Sequence, residues 1–219
     1  MYVEALMGKL SAWIIILPLL VGLYRIRRLS KESICIVLVV IAGTLPQMLK
    51  AFSLGFVELN LSYNIYTCLE FLLLYVFFKN KVSSFKRLFL MASILYIISA
   101  GVLILIQGIV RQFLSSLVCI NSLIYLFWVL LIILEQLKLE TNDLFQFESP
   151  FVWYFSAILL YSSCTLLFFF LWPYVNTTSS SNLRPLRFVH HLFNILLYIF
   201  FTIGFLKDRK AATHFKELI

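Results

Sequence analysis

A chain of 219 residues that is 62% hydrophobic and only 13% charged, with a formal net charge of +8 and a mean hydropathy of +0.98, cannot bury its apolar side chains in a water-soluble core. Soluble chains carry roughly twice that charged fraction, so lipid must be the solvent for most of this one. Its apolar runs are continuous and about 18 to 24 residues long, which excludes an alternating barrel strand and fits a membrane-crossing helix with all backbone groups paired internally.

The expected fold is therefore all-α: a single transmembrane bundle over residues 1–219. It crosses about seven times, at about 5–24, 33–55, 62–78, 88–110, 114–137, 151–174 and 186–206. The first run has its basic cluster behind it and no small-residue cleavage site, so it reads as a span and not as a secretory signal. That cluster, RIRRLSKES, carries Arg25, Arg27, Arg28 and Lys31. The connections are too short for a fused output domain.

The second span ends in TLPQMLK, where Pro46 and Gln47 stand near Lys50. Pro46 is expected to kink the helix and free a carbonyl that a neighbour can satisfy. Seven-helix transporters with a Pro-Gln motif repeat it in two halves, and no second copy occurs here. The third span, read inward from Leu61, places Glu70 about nine residues down, roughly 13 Å along a helix and near the bilayer midplane. Tyr63, Tyr66, Thr67 and Glu70 follow at i, i+3, i+4 and i+7 and share one face. A charged carboxylate facing lipid at that depth costs at least a few kcal/mol, so Glu70 must turn inward, stay protonated or find a cation.

After KNKVSSFKR (Lys79, Lys81, Lys86, Arg87), the fifth span carries Ser115, Ser116, Asn121 and Ser122. The next connection, LEQLKLETNDLFQFESP, departs from the basic pattern with Glu135, Glu140, Asp143 and Glu148 against one Lys138. It reads as a solvated loop or as a docking surface, formed by Glu140, Asp143 and Glu148, for a basic cytoplasmic signalling partner. The sixth span has Tyr161, Ser162, Ser163 and Thr165 at its middle. It is followed by NTT at 176–178, a glycosylation pattern within a polar external loop. In the last span Arg187, His191, Asn194 and Tyr198 lie on one side, with His190 on a neighbouring face.

Thirteen Lys and Arg residues fall on one side of this layout and five on the other. The positive-inside rule then puts the N-terminus outside and the C-terminus in the cytoplasm, in the plasma membrane. Those cations meet lipid headgroups, and nucleic acid is not needed to explain them. The polar groups inside the spans gather in the outer half. They are either interhelical glue, worth about 0.6 kcal/mol per hydrogen bond, or the lining of an outward-facing pocket for a small molecule or lipid. That pocket would have Glu70 at its floor and Gln47, Tyr63, Tyr66, Thr67, Asn121, His190, His191 and Asn194 on its walls.

Known chemistries do not fit well. A retinal Schiff base needs a lysine deep in the last helix, and Lys207 lies at its end. Haem needs facing histidines, but His190 and His191 are adjacent. Zinc needs three ligands, of which Glu70 and one histidine make two. No cofactor, metal or catalytic residue is assigned, and the four cysteines, all within spans, read as small hydrophobes.

In its third span, YTCLEFLLLYVFF, and its last, FVHHLFNILLYIFF, the chain resembles small bacterial seven-helix membrane proteins, some of which accompany sensor kinases. In architecture it is also similar to seven-helix sensing modules fused to signalling domains. These resemblances imply a receptor-like or accessory role through a separate partner. The alternative is a small transporter or pore subunit using Glu70 as its ion- or proton-handling group.

Overall fold

The computed structural model describes residues 2–51, 56–110, 112–139, 146–171 and 184–208. Among them every regular element is helical, and seven stretches are long and apolar enough to cross a membrane. The first stretch, Leu6–Arg28, is not one continuous helix. It comprises α1 (Tyr2–Trp13), α2 (Ile16–Arg25) and a 3₁₀ turn at Ile26–Arg28. The break has a local cause: Pro18 has no N–H for the Ile14 carbonyl, which instead accepts from Leu17 at 3.0 Å.

The remaining crossings are α3 (Lys31–Ala51), α4 (Phe56–Lys79), α5 (Lys86–Gln107), α6 (Ser115–Leu139), α7 (Pro150–Phe170) and α8 (Arg184–Lys207). Pro46 lies inside α3, which continues through it. The helix α5 stops at Gly108, whose φ of 75° is a left-handed conformation that costs glycine nothing. The helix α7 begins on Pro150 behind Ser149, whose hydroxyl accepts from the Phe151 N–H at 3.4 Å.

Helices α2, α3, α4, α6, α7 and α8 close a ring, with α7 packed most extensively on α8 and α6, and α3 on α4. The α1 segment leans on α8, and α5 lies outside against α6 and α4. Most of α5 is accordingly open to the surroundings, with Leu105 86% and Ile106 74% exposed, as suits a lipid-facing helix.

The ring is filled by aromatic side chains. Trp128 is fully buried, with its ring centroid 4.8 Å from Phe89, 5.2 Å from Phe71 and 5.5 Å from Phe78. Phe77, Tyr154, Phe155 and Phe205 continue this layer. It sits towards the end of the bundle that carries the clusters at 25–31 and 79–87 and Lys207, referred to below as the basic end.

The basic end is tied by polar contacts beside its aromatic layer. Asp208 is buried at the end of α8, where its Oδ2 accepts from the Ser30 N–H at 2.9 Å and the Ser30 hydroxyl at 2.8 Å. The Ser30 oxygen also accepts from the Ser33 N–H at 3.2 Å and so caps α3. The Ser33 hydroxyl receives the Tyr154 O–H at 3.0 Å. Arg25 donates to the carbonyls of Leu206 and Asp208, a cation at a helix C-terminus. Lys81 spans the same end, 4.0 Å from Glu32 and 3.7 Å from the centre of the Phe151 ring. Burial pulls its pKa below the ordinary lysine range, against the opposing pull of Glu32.

One prediction arises here. Asp208→Ala leaves the half-buried Ser30 N–H and the serine–tyrosine chain without their acceptor. It should cost about 2 kcal/mol, read as an earlier unfolding midpoint in detergent titration. Asp208→Asn, which keeps one acceptor oxygen, should lose less.

Candidate functional site

Beyond the aromatic layer, five helices enclose a small chamber. Val39 and Val40 come from α3; Tyr66, Glu70 and Leu74 from α4; and Tyr125 from α6. Ile158, Tyr161 and Ser162 come from α7, and Leu197, Tyr198 and Phe201 from α8. The cavity measures about 20 Å³, room for one water-sized body. Among the described residues its only carboxylate is Glu70, and no Lys, Arg or His lines it.

Glu70 is eleven residues from one end and nine from the other of the apolar stretch Leu59–Lys79, near its middle. Its Oε1 accepts the Tyr66 O–H at 3.0 Å across one helical turn, so the i, i+4 spacing of that face sets the acid's first hydrogen bond. The Tyr125 hydroxyl, on a side chain 4% exposed, has no partner in full hydrogen-bond geometry; the Asn121 side chain lies beside it, and its Oδ1 is unpaired as well. Buried oxygens of that kind are uncommon and expensive.

Of the nine residues proposed for the pocket, Glu70 and Tyr66 line the chamber, together with Tyr198 from the last span. The other seven do not line it. Thr67 donates its hydroxyl back to the Tyr63 carbonyl at 2.9 Å, and its own carbonyl receives the Asn121 amide at 3.1 Å. Tyr63 packs edge-on against Phe113, 6.1 Å between centroids. Gln47 is half-buried on α3.

His191 and Asn194 bind α8 to α1. The His191 Nδ1 is 3.3 Å from Ser11 Oγ, and the Asn194 amide donates to Ser11 Oγ at 2.9 Å and Ser11 O at 3.1 Å. His190 stacks on Phe168 at 4.5 Å and 13°. The expected single pocket is therefore divided. The acid and the tyrosines form a chamber, while the histidines and Asn194 act as interhelical contacts. Helical spacing groups residues on a face of one helix but does not show which neighbour that face meets.

One assignment changes in the acidic connection. Glu135, taken for a loop acid, is on α6 and only 1% exposed. Its carboxylate accepts from the hydroxyls of Ser83 and Ser84, the latter at 3.0 Å, and from the Ser84 N–H at 2.9 and 3.0 Å. Glu148 is 89% exposed and 3.4 Å from Lys207 Nζ, so a cation of its own chain already faces it. Glu140 and Asp143 lie outside the described residues, as do Arg111, residues 176–182 and the basic tail from 209.

Sequence reasoning passed over Tyr125, Tyr198 as a chamber wall and Asn64. Asn64 is 1% exposed and holds the turn before α6. It donates to the carbonyls of Ile109 at 2.7 Å and Gln112 at 2.9 Å and accepts from the Leu114 N–H at 3.0 Å. Comparison with protein-family models, with curated proteins and with solved structures finds no match to this chain.

Proposed function

We propose that the chain is a receptor-like or accessory multi-pass protein of the plasma membrane. In this reading the N-terminus is outside, the C-terminus is cytoplasmic, and a small ligand in the Glu70 chamber is reported to a separate partner at the basic end. The observation that carries this reading is a carboxylate near the middle of an apolar helix, in a chamber where five helices meet and, among the described residues, no cationic side chain lines the wall. An ionisable group in that setting is expensive, and a chamber shared by five helices makes its occupancy a matter of how all five pack.

The aromatic layer of Phe77, Phe78, Trp128, Tyr154 and Phe205 blocks the route from the basic end, which favours access from the outer side. Resemblance to bundles that accompany sensor kinases agrees with a partner that provides the output.

The test pairs two measurements. Tagged protein purified from its native membrane should bring down a cytoplasmic protein, in an amount reduced by Glu140→Lys with Asp143→Lys. In proteoliposomes, Glu70→Gln should leave cation flux unchanged. Flux that depends on Glu70, without a partner, would instead establish the second reading, a small transporter or pore subunit. That reading rests on the same mid-membrane acid.

A further inference from the structure

We infer that the chamber binds one desolvated monovalent inorganic cation of water size (Na⁺, K⁺ or NH₄⁺), with Glu70 as counter-charge and Tyr125 as an oxygen ligand; this rests on the chamber being the ligand site. Charge sets the valence. Among the described residues one carboxylate and no other charged group line the cavity, so a single positive charge gives a neutral interior. A divalent ion would leave a net charge in a low-dielectric setting, where an unpaired charge is heavily penalised.

Size sets the chemical class. A cavity of about 20 Å³ admits one water-sized sphere and excludes an amine bearing methyl groups. The donor set is hard oxygen, which suits alkali cations and ammonium. Glu70 keeps Oε2 available beyond its bond to Tyr66, Ser162 is 2% exposed at the wall, and the buried Tyr125 hydroxyl, with only the Asn121 side chain beside it, keeps an oxygen lone pair for a cation. Tyrosine ring faces add cation–π attraction, which strengthens when the cation is desolvated. The acid, the buried tyrosine hydroxyl and the cavity thus meet in one place and suit the same occupant.

Full-length protein in zwitterionic nanodiscs provides the test, with thermal midpoints compared in NaCl, KCl, NH₄Cl and choline chloride at equal ionic strength. At least one small cation should raise the midpoint saturably over choline, on the order of 5 °C at a hundredfold excess over its Kd. Glu70→Gln should abolish that difference. Tyr125→Phe, which removes only the oxygen, should weaken the half-saturating concentration by about tenfold; it carries the test if Glu70→Gln fails to fold. Tyr24→Phe, on the exposed surface, should behave as wild type.

Identical midpoints in all four salts overturn the inference, as does cation dependence that survives Glu70→Gln or is untouched by Tyr125→Phe. A pH titration in choline chloride that reproduces the whole shift, and is lost in Glu70→Gln, makes the occupant a proton and also overturns it. Partner capture with no cation effect rejects the cation and spares the receptor reading. A Glu70-dependent cation effect without a partner supports the cation and rejects that reading.

Discussion

Gly204→Ala should be the most damaging single-methyl substitution in the bundle. A Cβ at residue 204 would lie 2.2 Å from Tyr154 Cε1 and 2.8 Å from both Cδ1 and Cζ, far inside van der Waals contact. The tyrosine cannot swing away easily: it is fully buried, and its hydroxyl is committed to Ser33 at 3.0 Å. Phe77, Phe201 and Phe205 pack around the ring at 5.8–6.2 Å. Overpacking of this kind costs typically 1–3 kcal/mol, and the upper end, about 3 kcal/mol, is expected because both backbone and ring are held. Close approach of backbones through small residues is a standard way for membrane helices to associate, and α7 against α8 is the most extensive pairing here.

The measurement is reversible unfolding in mixed micelles, with a double-mutant cycle. Tyr154→Leu relieves the clash, so the pair should be less destabilised than the sum of the single variants, by more than about 0.5 kcal/mol. Additive effects would mean that the two residues do not compete for one space.

The second large effect is expected at Glu135→Ala, which should destabilise by about 3 kcal/mol by leaving the donors of Ser83 and Ser84 without their charged acceptor. This carboxylate is covered by the 83–84 turn itself more than by the bundle interior, so its removal should loosen that turn first. Hydrogen exchange at the Ser84 amide should accelerate together with the drop in the unfolding midpoint. Glu135→Gln, with one acceptor oxygen, should fall between the two. An unchanged Ser84 exchange rate would show that the hydrogen bonds do not hold the turn. If the acid were an ordinary surface charge, neither variant would exceed about 0.5 kcal/mol.

The contrast between Glu70 and Glu135 shows how far the chain could be read unaided. Both are glutamates on long apolar helices, and hydropathy treats them alike. Position along the helix was legible: counting residues at 1.5 Å each puts Glu70 near the middle of its apolar stretch. Partnership within one helix was legible as well, since i, i+4 spacing alone brings Tyr66 to Glu70. What Glu135 does was not legible, because its partners are 51 and 52 residues away and no periodicity records a contact between separate helices. The same holds for Asp208 with Ser30, and for Asn194 and His191 with Ser11.

By itself the sequence determined the solvent, the helical class, the seven apolar stretches and their approximate ends, because burying a backbone in lipid allows few solutions and apolar run length is local information. It also supplied the break near Pro18, though not the reading of it, since proline's missing N–H acts on the carbonyl four residues before it. Only the tertiary structure decided which faces meet. It divided one expected pocket into a tyrosine–glutamate chamber and a set of interhelical contacts, and it placed Tyr125 and Tyr198 beside an acid from a distant segment. The physical reason is that helix rotation and neighbour choice depend on the joint packing of rings such as Trp128 and Tyr154 against small residues such as Gly204. That packing depends on every helix at once and is not encoded in the period of any one of them.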